Sequence, residues 1–151
     1  MKQSILKSAL LTAFVLPVFL WDLCAQQYKV VTSVESIVSS GLGRSRIVNA
    51  QEERDYREFT SLQTEEDNTR NKSDRGEIRI KEFEETKLLN FFNLGGIRFQ
   101  NIAANDAVIS SMINDMVSAG WELVFVTSAV ESDGGKEDGQ GIFITRYIFR
   151  K

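Results

Sequence analysis

Histidine is absent from this 151-residue sequence, and cysteine and proline occur once each, as Cys24 and Pro17. Each shortage excludes some chemistry. Without imidazole, and with one thiol near the N-terminus, the chain cannot assemble a Ser-His-Asp or Cys-His catalytic set. It cannot build a zinc site from imidazole and thiolate ligands, nor hold haem or an iron–sulfur cluster in the usual way. A single cysteine closes no intrachain disulfide. The glycine patterns of P-loops and dinucleotide sites are missing. Positive charge is also short: 18 basic residues face 21 acidic ones, for a net charge of −3. That balance gives no electrostatic footprint for nucleic acid. No cofactor and no metal site are expected.

What is present begins with an N-terminal pattern. Lys2 and Lys7 give a positive start, residues 8–21 carry no charge, and Leu23-Cys24-Ala25 ends in a small residue. This is the layout of a secretory signal peptide, expected over residues 1–25. The charge-free run is shorter than the roughly 20 apolar residues needed to cross a bilayer as a helix. Trp21-Asp22-Leu23 lacks the small residues of a lipoprotein cleavage site, so a lipid on Cys24 is not expected. The protein is therefore expected to be exported, to the periplasm, the outer-membrane face or the medium. Cleavage would also remove the only cysteine and the only proline. Residues 26–151 are expected to form one domain, large enough to bury a core without disulfides.

The clearest patterning lies between Asn105 and Arg150. Ile109, Met112, Ile113, Met116 and Val117 recur at helical spacing, which predicts an amphipathic helix over residues 105–119. Asn105 is placed to cap its start, and Gly120 to end it in the left-handed conformation. Residues 121–130 and 142–149 alternate and are rich in β-branched and aromatic side chains, predicting two strands. The intervening ESDGGKEDGQG is all turn-formers and charge, so an antiparallel hairpin follows. Apolar residues on both faces of 121–130 imply some cover on each side of the sheet.

A helix ending in Ala-Gly, then Gly120-Trp121-Glu122-Leu123 opening a strand, then Ile144-Thr145-Arg146-Tyr147 near the chain's end, resembles a family of small bacterial α+β domains of unknown function with a Gly-Trp-Glu-Leu motif. The opening Tyr28-Lys29-Val30-Val31 also fits. The resemblance covers about 60 residues in two pieces. It implies an α+β fold and no particular activity.

Elsewhere the chain is more varied. Residues 28–38 alternate as a strand. Residues 39–43 hold two glycines and read as a turn, and 44–48 begin a second strand. Residues 51–87 carry 20 charges in 37 positions, and 63–76 contain no large apolar residue. That part is expected to be a mobile loop, because burial cannot offset the entropy of ordering it. Short alternations at 56–59 and 77–81 suggest flanking strands. Residues 86–94 fit either a two-turn helix stopped by glycine or a strand, and 97–102 alternate as a strand. The whole predicts an antiparallel sheet with one main helix on a face, plus a short helix near 86–94.

Three features are candidates for function. Residues 41–46 join a glycine turn to Arg44, Ser45 and Arg46, which could hold a phosphate, sulfate or carboxylate. Glu131, Asp133, Glu137 and Asp138 crowd the last loop, but an EF-hand counted from Glu131 would need its twelfth-position Glu at Ile142. That loop reads as a solvated hairpin tip. Paired carboxylates could hydrolyse a sugar, but most acids lie in the charged segment, a poor support for fixed geometry. By subtraction, the sequence points to a non-enzymatic envelope or secreted protein acting through protein–protein contact. Its expected partner is another such protein or a second copy of itself. A binder of small anions through residues 41–46 is the alternative, and a carboxylate hydrolase the third.

Overall fold

The computed structural model describes residues 26–36, 45–93, 95–131 and 141–151. In chain order its elements are β1 (Tyr28–Ser36), β2 (Arg46–Ala50), a 3-10 turn (Tyr56–Phe59), α1 (Arg75–Ile78), β3 (Phe83–Lys87), β4 (Phe92–Asn93), β5 (Gly96–Ile97), α2 (Phe99–Ser118), β6 (Glu122–Glu131) and β7 (Ile142–Arg150). Five strands form one antiparallel sheet in the order β3-β2-β1-β7-β6, and β4 pairs with β5 in a separate ribbon. The fold is α+β, with the main helix on one face of the sheet. The first and last strands run together at its centre. Reciprocal hydrogen bonds between the backbones of Gln27 and Lys151, 2.9 and 3.0 Å, carry that ladder one residue further.

Alternation along the strands sends one set of side chains toward α2. Val31, Ile47, Tyr147 and Phe149 are buried there with Leu88, and Val108, Ile109, Met112, Ile113 and Met116 of α2 pack on them with Trp121 and Leu123. The helical stripe read from the sequence therefore does face the sheet, except at Val117, which is exposed. The end of α2 follows from one glycine. Gly120 has φ +86°; its N–H donates to the Val117 carbonyl and that of Trp121 to Met116, closing the two bonds of a Schellman motif. Lys151 Nζ donates to the Ala119 carbonyl at 2.7 Å, adding a cation at the negative end of the helix.

The helix starts earlier than its apolar spacing suggests. It begins at Phe99, after Arg98, which offers no side-chain cap. Asn105 is therefore not an N-cap but a buried residue within the helix. The expected strand over 97–102 is confined to Gly96–Ile97. Its alternation did not record burial, because Ile97 and Phe99 are both exposed.

No helix forms across residues 86–93. Strand β3 ends at Lys87, and the backbone groups beyond it are engaged elsewhere. Leu88 N–H donates to the Ser45 carbonyl at 3.0 Å. Leu89 N–H donates to Asn105 Oδ1 and its carbonyl accepts from Asn105 Nδ2, both at 2.8 Å. Groups committed to these partners cannot make the bonds of a helical turn. The strands expected at 56–59 and 77–81 are single helical turns instead. Asp55 accepts from the Arg57 N–H, and Asp74 with Glu77 forms a capping box on α1; such caps favour a turn over an extended segment. The insert they belong to springs from the end of the β2–β3 hairpin, where Gln51 N–H donates to the Glu82 carbonyl.

Candidate interaction surface

The residues nominated as an anion site take different places. Gly41, Gly43 and Arg44 lie outside the described residues. Ser45 is buried; its Oγ accepts from the Ser36 N–H at 3.0 Å and donates to Asn90 Oδ1 at 2.7 Å. Arg46 lies on the opposite face of β2, with Nε 2.5 Å from Glu85 Oε1, and it also donates to the Ser45 carbonyl. Both described members thus have protein partners. In the acidic loop, Asp133, Glu137 and Asp138 lie outside the described residues, and Glu131 is the last residue of β6.

Carboxylates do gather elsewhere. Glu53, Asp55, Glu58 and Glu77 line a surface hollow of about 470 Å³ with Arg54. The two turns that carry Glu58 and Glu77, the first capped by Asp55, bury no residue, which is weak support for the sub-ångström placement that catalysis needs. Among the described residues no three metal-ligating side chains are grouped to share an ion.

The larger feature is the sheet face opposite α2. Strand pairing sets its side chains in rows. One row reads Phe83, Ala50, and then Val30, Ile148 and Phe125. The next reads Glu85, Val48, Thr32, Arg146 and Thr127, and a third reads Lys87, Arg46, Val34, Ile144 and Ala129. Apolar residues thus run across β1, β7 and the edge strand β6 on both sides of a polar row. Phe83, Val30 and Phe125 are exposed, and no described helix lies over them. Of the cover expected on both faces of residues 121–130, only that over Trp121 and Leu123 on the α2 side exists among the described residues; from Val124 onward the strand is exposed on both faces.

Arg146 is the charge at the centre of this face. It is exposed, and among the described residues no carboxylate pairs with it. Its neighbours across both strands, Thr32 and Thr127, are neutral. The pairs that do form, Arg46 with Glu85 and Arg150 with Glu122, sit toward the margins. An apolar field around an unpaired guanidinium suits a surface that presents apolar groups and a carboxylate, since a buried arginine needs a bidentate counter-charge.

One buried polar group among the described residues is one that spacing alone misassigned. Asn105, 2% exposed, bonds Leu89 twice and donates to Glu35 Oε1 at 2.8 Å. Nearby, Asn101 Nδ2 donates to the Asn90 carbonyl at 2.7 Å. Together these side chains tie residues 89–90 to α2 and β1. A signal for this was present: Asn105 lies three residues after Ile102 and four before Ile109, on the apolar stripe itself. A polar residue there must find partners inside the fold. Searches of family models, curated proteins and solved structures find no match to this chain.

Proposed function

We propose that the chain is an exported, non-enzymatic protein acting through protein–protein contact, with the uncovered sheet face as the contact surface. Its partner presents an apolar surface that carries a carboxylate to meet Arg146. The observation that carries this reading is the exposed apolar row of Phe83, Val30 and Phe125 beside Arg146, which has no ion-pair partner among the described residues. Contiguous exposed apolar surface rimmed by polar residues marks interaction sites, and arginine is enriched where interfaces bury charge. The absence of histidine and, among the described residues, the lack of a firmly held carboxylate pair support the non-enzymatic part. Export rests on the pattern of residues 1–25.

The test places a photo-crosslinking residue at Thr32 or Val48 on the open face, and at Ser111 on the outer side of α2, in cells that make the full chain. The expected result is one discrete adduct from the open-face positions, none from Ser111, and its loss in Arg146→Glu. A charge reversal of the matching acid in the identified partner should restore the adduct. Equal labelling from both faces, or an adduct indifferent to Arg146→Glu, overturns the reading.

A further inference from the structure

The two edges of the sheet are built differently. On one side β3 is five residues long and carries Glu84, Glu85 and Lys87. Asn49 and Arg46 hold the two carboxylates. Short, charged edge strands discourage further pairing. On the other side β6 is ten residues long, with charges only at its ends, Glu122 and Glu131. It contains no lysine and no proline, and its one bulge, at Val124, lies near its start. Among the described residues no strand pairs with its outer side. Val126 and Val130 point toward the α2 side yet are 46% and 58% exposed, because the helix does not reach the edge.

Backbone N–H and C=O groups along such an edge accept another extended strand, and the sequence of β6 indicates which one. Beyond the bulge, residues 125–131 form a regular run centred on Ser128. A two-fold axis through Ser128, with a second β6 antiparallel to the first, sets Val126 opposite Val130 of the other copy. Thr127 then faces Ala129, and Phe125 faces Glu131. Directly opposed residues share a face, and each of these pairs obeys that: Val126 and Val130 lie on the helix side, and the other four on the open side. The apolar Val126–Val130 pair occurs twice by symmetry. No like charges meet. Using the whole of β6 instead would oppose Glu122 and Glu131 twice and run through the bulge.

We propose that β6 is a self-association edge: two copies of this chain pair antiparallel about Ser128, joining their sheets into one of ten strands. The contact is closed, since each copy spends the same edge, and the charged β3 edge discourages continuation into a fibre. This goes beyond the contact assigned to the open face and does not depend on it. The apolar faces of both copies stay accessible on one side of the joined sheet.

Sedimentation equilibrium on the purified full-length product, across a range of concentrations, reads the mass directly. A reversible dimer is expected. Val126→Lys with Val130→Lys opposes like charges twice in this register and should give a monomer with an unchanged circular dichroism spectrum. Val126→Lys with Val130→Glu sets lysine opposite glutamate and should restore the dimer. A wild-type chain that stays monomeric throughout, or a folded double-lysine variant that still dimerises, overturns the proposal. Should the lysine variants fail to fold, amide exchange on the wild type decides. Protection of residues 125–131 must rise with protein concentration; protection independent of concentration overturns the proposal, including the case of an edge filled only by a foreign strand.

Discussion

Asn105 shows how much one side chain can organise. Its amide gives the Leu89 backbone what a neighbouring strand would give it, one acceptor and one donor, and its second N–H reaches Glu35. Asn105→Ala removes all three bonds and leaves buried groups unpaired. The cost should be about 2–3 kcal/mol, measured by urea unfolding, and amide exchange should show Leu89 newly exposed. A loss below about 0.5 kcal/mol would mean that water replaces the amide at no cost. Gly120 is the opposite kind of residue, important for what it lacks. At φ +86° a β-branched side chain is strained, and a Cβ there would also meet Lys151 Cε at 3.4 Å. Gly120→Val should cost at least about 1 kcal/mol. Full stability in that variant would contradict the helix end described above.

Elements were legible where pattern and burial coincide. β1, β6 and β7 alternate, they are paired in register over long runs, and the sequence locates them to within a few residues. The helix stripe from Ile109 to Met116 does face the core. The first turn of α2 was hidden because Phe99 and Ile97 look apolar yet lie in water. Residues 88–90 were hidden because their partners, Ser45, Asn101 and Asn105, are distant in sequence. No local spacing reports such bonds. The open face was half legible: apolar residues on both sides of residues 121–130 were plain, but α2 covers this strand only at Trp121 and Leu123. At the root of the charged insert, Glu52 joins two segments by a mechanism that pH can test. The Glu82 N–H, the Lys81 N–H and the Arg54 guanidinium all hold its carboxyl below the usual carboxylate range, in that order of effect. A depressed folded-state value means that the carboxylate stabilises the fold above the unfolded value, about 4.3, and that this contribution fades as pH falls through the folded value. Glu52→Gln should therefore lie below wild type in stability at pH 7 and approach it below about pH 4. Urea unfolding at the two pH values checks this. A gap that widens on acidification would rule out a charge effect.

At the scale of the whole molecule the two faces of one sheet obey different rules. Phe149 is wholly buried under α2, while Phe125 is 59% exposed on the opposite side. The described core is small, five buried apolar residues, so each has much to lose. Phe149→Ala should cost about 3–5 kcal/mol, from lost transfer energy and the cavity left behind. Phe125→Thr and Val30→Thr remove side chains that water already reaches and install a residue that suits a strand. Each should cost about 1 kcal/mol or less. If so, the apolar character of the open face adds little to the folding of the isolated chain, and its explanation lies in what the chain touches. The comparison is one set of chemical denaturation curves on three variants. A cost at Phe125 approaching that at Phe149 would reverse the inference, because the open face would then be covered by the chain itself. A large gap would place the value of Phe125, and of the surface around Arg146, in the contact.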